Sequence, residues 1–275
     1  MGQLDGKVAF ITGAARGQGR SHAEALATEG ADIVGIDICA QLDTVAYPMA
    51  TPEDLEETAA LVEKQGRRMI AHTADVRDLA AVRAAVDAGL AEFGRLDIVL
   101  ANAGVMAHSL PPYENSEQAW KTSIDTMLTG VWNTLQATVS HLISGGRGGS
   151  IVITSSAAGL RAQTTERSGG ADGYFAAKFG VVGLMKAYAG ALGEYNIRVN
   201  SIHPCGVDTP MVVNDFFPNW IAAHPKTAAL LVNALPTELV EPADVSNAVL
   251  FLVSDAGRYI TGLTMTVDAG LTTVH

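Results

Sequence analysis

At 275 residues the chain is long enough for one large domain or two small ones, with a sizeable core. Hydrophobic residues at 48% against 17% charged exclude disorder and call for much internal surface, as in a sheet covered on both faces or an oligomer. A net charge of −11 argues against nucleic acid as a partner, yet leaves room for a small anion held by backbone N–H groups at a helix N-terminus.

The first residues, MGQLDGKVAFITG, lack the basic start and apolar stretch of a secretion signal. No window reads as the ~20 apolar residues of a membrane helix, so the expected location is the cytoplasm. Its two cysteines, Cys39 and Cys205, are then expected as free thiols. Short apolar runs rich in β-branched residues predict buried strands at 7–12, 32–36, 69–73, 98–101, 150–154, 198–203 and 263–267. Helical patterns fall between them at 19–29, 52–65, 79–93, 116–142, 174–194 and 242–254. Such alternation predicts a single α/β domain spanning 1–275: a doubly wound parallel sheet of about seven strands with helices on both faces. Three stretches interrupt the rhythm. Residues 38–51 make a long connection, 161–173 read as a polar, Gly-rich surface loop, and 209–237 carry Met211, Phe216, Phe217, Trp220 and Ile221 with little polar alternation. The last reads as a lid over an apolar pocket, with an oligomer contact as the alternative.

Chemistry enters at the first strand-to-helix turn. There Gly13 permits a tight turn, Arg16 and Gln18 flank Gly17, whose backbone can approach a pyrophosphate, and Gly19 allows helix to pack on strand. Asp37, with Ile38 after it, ends the second strand, where a carboxylate accepts from ribose hydroxyls and repels a 2′-phosphate, favouring NAD over NADP. Asp75 and Val76 end the third strand and Asn102, Ala103 and Gly104 the fourth, on the sheet edge where a dinucleotide lies. Asp75 is a candidate for the adenine amino group or, equally by spacing, a helix N-cap.

Tyr174 and Lys178 stand one helical turn apart, so both project from one face. A nearby ammonium favours the phenolate and is expected to lower the tyrosine's pKa from about 10, letting Tyr174 act as acid/base toward an alcohol or ketone. Ser156 can hydrogen-bond the substrate oxygen. Trp120 and Trp132, on the long fourth helix, are expected to be packing residues. The histidines show no metal-ligand spacing, and His203 is expected to end a strand.

Together these residues resemble the short-chain dehydrogenase/reductase family: Thr12-Gly13-x-x-x-Gly17-x-Gly19, Asn102-Ala103-Gly104, Ser155-Ser156-x-x-Gly159, Tyr174-x-x-x-Lys178 and His203-Pro204-x-Gly206-x-x-Thr209. The resemblance covers nearly the whole chain. It implies that Ser156 rather than Ser155 is catalytic, that Lys178 also holds the nicotinamide ribose, that Pro204, Gly206, Val207 and Thr209 border the nicotinamide amide, and that the chain is a homotetramer or dimer. The spelling GAARGQGRSHA, with the insert after Asp37, is similar to the mycofactocin-coupled, carveol dehydrogenase-like subgroup. That likeness implies tightly held NAD reoxidised by a peptide-derived redox carrier, an insert covering the adenosine end, and an apolar secondary alcohol or ketone, terpenoid or alicyclic, as substrate. Two departures from the family pattern stand out. Met127 occupies the place of the asparagine that completes a proton relay, and a thioether is a weak acceptor; Ser156 and Tyr174 are 18 residues apart, about five more than usual. Two rival readings remain: a carbonyl reductase with exchanging cofactor, and an NAD-binding sensor or scaffold that has lost turnover.

Overall fold

The computed structural model describes residues 2–108, 116–162, 164 and 168–274. Its centre is a seven-stranded sheet in the order β3-β2-β1-β4-β5-β6-β7, every neighbouring pair parallel. The strands are β1 (Val8–Thr12), β2 (Asp32–Asp37), β3 (Met69–Thr73), β4 (Ile98–Ala101), β5 (Gly149–Thr154), β6 (Ile197–Pro204) and β7 (Thr264–Val267). The central ones are apolar on both faces, as a sheet between two helical layers requires. Val8, Phe10, Val34, Ile36, Val99 and Ile151 face α3 (Leu79–Phe93), α5 (Gly130–Gly145) and α6 (Gly169–Leu192). Ala9, Ile11, Ile33, Ile98, Leu100 and Val152 face α1 (Gly17–Thr28), α2 (Pro52–Lys64) and α9 (Pro242–Val253). The strand order reverses between β1 and β4, which opens a crevice at their carboxyl ends.

Three elements depart from the expected pattern. The expected helix over 116–142 is two helices, α4 (Ser116–Ile124) and α5, joined by one π turn at Asp125–Thr129. A Cβ on Gly130 would press on Val76 Cγ2 at 2.7 Å, so glycine lets this turn sit against the sheet's edge. Helix α6 begins at Gly169, capped by the Ser168 hydroxyl accepting from the Ala171 N–H at 3.3 Å, so the second half of the expected 161–173 loop is already helix. Residues 163 and 165–167 of that loop lie outside the described part. The third is the N-cap of α3, which is Asp78, its carboxylate accepting from the Ala80 and Ala81 N–H groups; Asp75 does not cap it.

Two expectations about apolar surface are corrected. Trp120 and Trp132 are 41% and 42% exposed, because α4 and α5 turn these positions outward. Gly169–Tyr195 is long and apolar enough, by length and composition, to cross a membrane. That span contains α6, which packs against α4 and β6 and carries Tyr174 and Lys178. The segment 209–237 folds into α7 (Phe216–Ala223), α8 (Pro225–Ala228) and connecting turns.

Candidate active site

A cavity of about 1180 Å³ opens along the carboxyl edge of the sheet, reaching from the glycine loop to the segment 209–239. Every sequence-predicted site residue lines it: Gly13, Arg16, Gly17, Gln18, Gly19, Asp37, Ile38, Asp75, Val76, Asn102, Ala103, Gly104, Ser156, Tyr174, Lys178, Pro204, Gly206, Val207 and Thr209.

At the nucleotide end, Gly13 and Gly17 have φ of +67° and +55°, conformations glycine adopts freely. A Cβ on Gly13 would lie 2.9 Å from Ala103 Cα, and one on Gly19 would collide with the Gly13 carbonyl. The first turn of α1 has no side-chain cap and no acidic residue, so its leading N–H groups are left for an anion. Gln18 Oε1 is buried with no hydrogen-bond partner among the described residues. Asp37 accepts from the Ala15 N–H at 3.1 Å and the Cys39 N–H at 3.3 Å; burial raises its pKa and these bonds oppose the rise. An open helix N-terminus, a cradle that a Cβ would fill and a carboxylate at the β2 end together fit a dinucleotide. Asp75 is held bidentately by Arg77, with Nε–Oδ1 at 3.0 Å and Nη2–Oδ2 at 2.5 Å, so its charge is already matched. Arg16 donates to the Pro48 carbonyl at 2.6 Å, engaging its guanidinium with the insert.

Thr12 and Asn102 tie the strand ends together. The Thr12 hydroxyl accepts from the Asn102 and Ala103 N–H groups at 3.0 Å each. Asn102 Nδ2 donates to the Thr12 carbonyl at 3.0 Å, and its Oδ1 accepts from Thr154 Oγ1 at 3.2 Å. This lock fixes β1, β4 and β5 relative to one another where the cavity begins.

At the other end, Ser156 lies within hydrogen-bonding reach of the Tyr174 phenol, so the two meet despite their long separation in sequence. Ser155 is turned inward, donating to the Lys178 carbonyl at 2.9 Å. Lys178 Nζ donates to the Thr154 carbonyl at 2.9 Å and lies 5.6 Å from the Tyr174 ring centre. Burial pushes the Lys178 pKa down to about 8. The Tyr174 pKa is raised, not lowered as expected: burial outweighs the opposing bond from Ser156. Met127 sits in the π turn and is 1% exposed. A Cβ placed on Gly104 would meet Met127 Sδ at 3.6 Å and Lys178 Nζ at 3.7 Å, so thioether and ammonium converge on one spot.

Sequence reasoning missed three contributors. His203, inside β6, bridges Ser201 Oγ and the Ser156 carbonyl, both at 2.8 Å, and so anchors the Ser156 backbone. Tyr47 and His108 also line the cavity. The insert that supplies Tyr47 runs well beyond the β2 end. Thr44 Oγ1 donates to Thr122 at 3.0 Å, the His108 N–H donates to the Thr44 carbonyl at 2.8 Å, and the Met106 N–H donates to Tyr47 Oη at 3.1 Å. No local pattern marks such residues, because long-range contacts place them. Among the described residues no three His, Cys, Asp or Glu side chains group as a metal site, and both cysteines are free thiols.

Comparison with known proteins matches a family model described as enoyl-(acyl carrier protein) reductase to residues 13–272. An uncharacterised oxidoreductase of Mycobacterium tuberculosis is 53% identical over 268 residues, covering 97% of this chain and 96% of that protein. The (−)-trans-carveol dehydrogenase of Rhodococcus erythropolis is 48% identical over 282 residues, 99% of each. Among solved structures, carveol dehydrogenase from Mycobacterium avium in complex with NAD superposes with a TM-score of 0.91 at 48% identity, covering 98% of this chain and 99% of that one.

Proposed function

The chain belongs to the short-chain dehydrogenase/reductase family, and from that premise we propose that it is an NAD-dependent oxidoreductase interconverting an apolar secondary alcohol and its ketone. The observation that carries this reading is the meeting of Ser156, Tyr174 and Lys178 in one cavity with the glycine cradle. NAD, when bound, supplies the hydride acceptor for the alcohol carbon. The N-terminus of α1 takes the pyrophosphate, and Asp37 takes the adenosine ribose hydroxyls. Arg16, already donating to Pro48, has no call for a 2′-phosphate, which supports NAD over NADP. Pro204, Gly206, Val207 and Thr209 border the nicotinamide end.

In oxidation, Ser156 hydrogen-bonds the substrate oxygen and Tyr174 takes its proton as the hydride leaves the carbon. Because burial raises the Tyr174 pKa, the pull toward phenolate has to come from positive charge beside it: the Lys178 ammonium and the charge of the oxidised cofactor. The cavity walls contributed by Met211, Val212, Phe217, Trp220 and Ile221 favour an alicyclic or terpenoid substrate, with 209–237 as its lid. The insert, tied to Arg16 on one side and to residues 106–108 on the other, supports slow exchange of NAD, and hence reoxidation in place by a mycofactocin-type carrier. The exposed aromatics on α4, α5 and α6 support a homotetramer or dimer.

Tyr174→Phe tests the central role. It is expected to reduce oxidation of carveol, followed with an artificial electron acceptor, by about 10²-fold or more, with NAD recovered by denaturation in wild-type amount. Undiminished oxidation removes Tyr174 from the mechanism.

A further inference from the structure

Two of the buried polar side chains that line the cavity, Tyr47 and His108, take no part in the reaction. Tyr47 is 4% exposed, and its hydroxyl accepts from the Met106 N–H at 3.1 Å. Among the described residues it donates to nothing. His108 is 9% exposed, and neither ring nitrogen has a partner among the described residues. Its ring is fixed from one side by lid helix α7, 4.4 Å from the Phe216 ring centre and 6.0 Å from that of Trp220. The two share one wall: the Thr44 carbonyl takes the His108 N–H, and Tyr47, three residues along, takes that of Met106.

Burial acts on the charge of both. Burial, helped by the charge of Tyr174, pushes the Tyr47 phenol up to about 12, so it stays a donor at working pH. Burial pushes the His108 imidazole down to about 4, leaving it neutral with one N–H donor and one acceptor. Tyr47 and His108 line the same cavity as Tyr174. Beside Tyr47 the wall is Val105, Met106 and Met211. A polar donor left bare in an apolar wall is costly unless what binds there completes it.

We infer that Tyr47 and His108 form a second recognition point, taking a carbonyl or hydroxyl oxygen remote from the reacting carbon. The preferred substrate is then an apolar ring bearing two oxygens: one at Ser156 and Tyr174, the other at the wall built by the insert. This rests on the dehydrogenase reading above and narrows its substrate class to hydroxyketones and diols.

The test compares 4-hydroxycyclohexanone with cyclohexanol, and with carveol as a larger single-oxygen alcohol, using an artificial electron acceptor. Wild type is expected to favour the hydroxyketone over cyclohexanol by about tenfold in kcat/KM. Tyr47→Phe and His108→Phe should each erase most of that preference by raising KM for the hydroxyketone about tenfold more than KM for cyclohexanol. His108→Phe keeps the ring contact with Phe216, so it tests the point independently if Tyr47→Phe loosens the insert; His108→Asn, which keeps a donor and an acceptor, should retain the preference. Equal losses on both substrates, or a preference untouched by either Phe variant, overturn the second recognition point alone. No oxidation of any of the three alcohols by wild type with NAD retained overturns the dehydrogenase reading itself.

Discussion

The Lys178 side chain is 5% exposed, with the Thr154 carbonyl at 2.9 Å and the Met127 thioether converging on the same spot. Among the described residues no carboxylate pairs with it, and burial pushes its pKa from 10.5 down to about 8. The folded value lies below the unfolded one, so the native state binds fewer protons between the two. The charge therefore costs stability in full below pH 8, and that cost fades as pH rises from about 8 toward 10.5. Such a cost is tolerated where a charge serves chemistry, which is the role proposed for Lys178 beside Tyr174. Lys178→Met removes it. Freed of NAD, the variant is expected to melt above wild type at pH 7, by a margin that narrows as pH rises through 8 to 10.5, while alcohol oxidation falls by about 10²-fold or more. Melting curves at pH 7 and pH 10 check this. A variant that melts lower at pH 7 shows that the ammonium stabilises the fold, and the burial argument fails.

Among the elements, the strands were the most legible in the sequence, because a parallel sheet covered on both faces demands continuous apolar runs: β4 (Ile98–Ala101) has the expected bounds and is buried throughout, whereas β3 (Met69–Thr73) has the expected bounds but, at the sheet edge, is not the buried strand its pattern predicts. Helix α3 was equally plain, although its cap proved to be Asp78. The glycine loop and the pair Tyr174 and Lys178 were legible because each depends on local geometry: a turn, and one helical turn. What stayed hidden depends on contacts far along the chain. The π turn at Asp125–Thr129 answers to Gly130 lying against Val76, more than fifty residues away. The route of the insert answers to Thr122, Met106 and His108. Inside the insert, Gln41 is the staple: Nε2 donates to the Val45 carbonyl at 2.8 Å and to that of Tyr47 at 3.3 Å, while Oε1 accepts from the Met49 N–H at 3.0 Å. It does not line the cavity, so changing it perturbs the insert without touching the cofactor. Gln41→Ala is expected to speed the release of bound NAD during dialysis by about tenfold, the worth of one or two hydrogen bonds. Unchanged release shows that the insert does not retain the nucleotide.

At the scale of the whole molecule, one helix is poorly served by a single chain. In the most apolar 18-residue stretch of the span Gly169–Tyr195 only 28% is buried, while the inner side of α6 packs against β6 and α4. On the outward side Phe179 is 46% exposed, and neighbouring helices expose Trp120 and Trp132. A second copy of the chain covers such a surface better than water does, and aromatic residues are the usual anchors where it does so. Opposing this is the charge: −11 on each copy repels, so apolar association here should strengthen with salt, whereas contacts made by ion pairs would weaken. Sedimentation of wild type at micromolar concentration is expected to give a multiple of 28.6 kDa, with the larger species gaining as salt is raised from about 50 mM to 500 mM. Phe179→Glu puts a carboxylate into that surface on the side away from the cavity, and should shift the chain to a folded monomer that retains NAD. A wild-type chain that sediments as a monomer under all these conditions leaves the outer face of α6 open to solvent and refutes the oligomer.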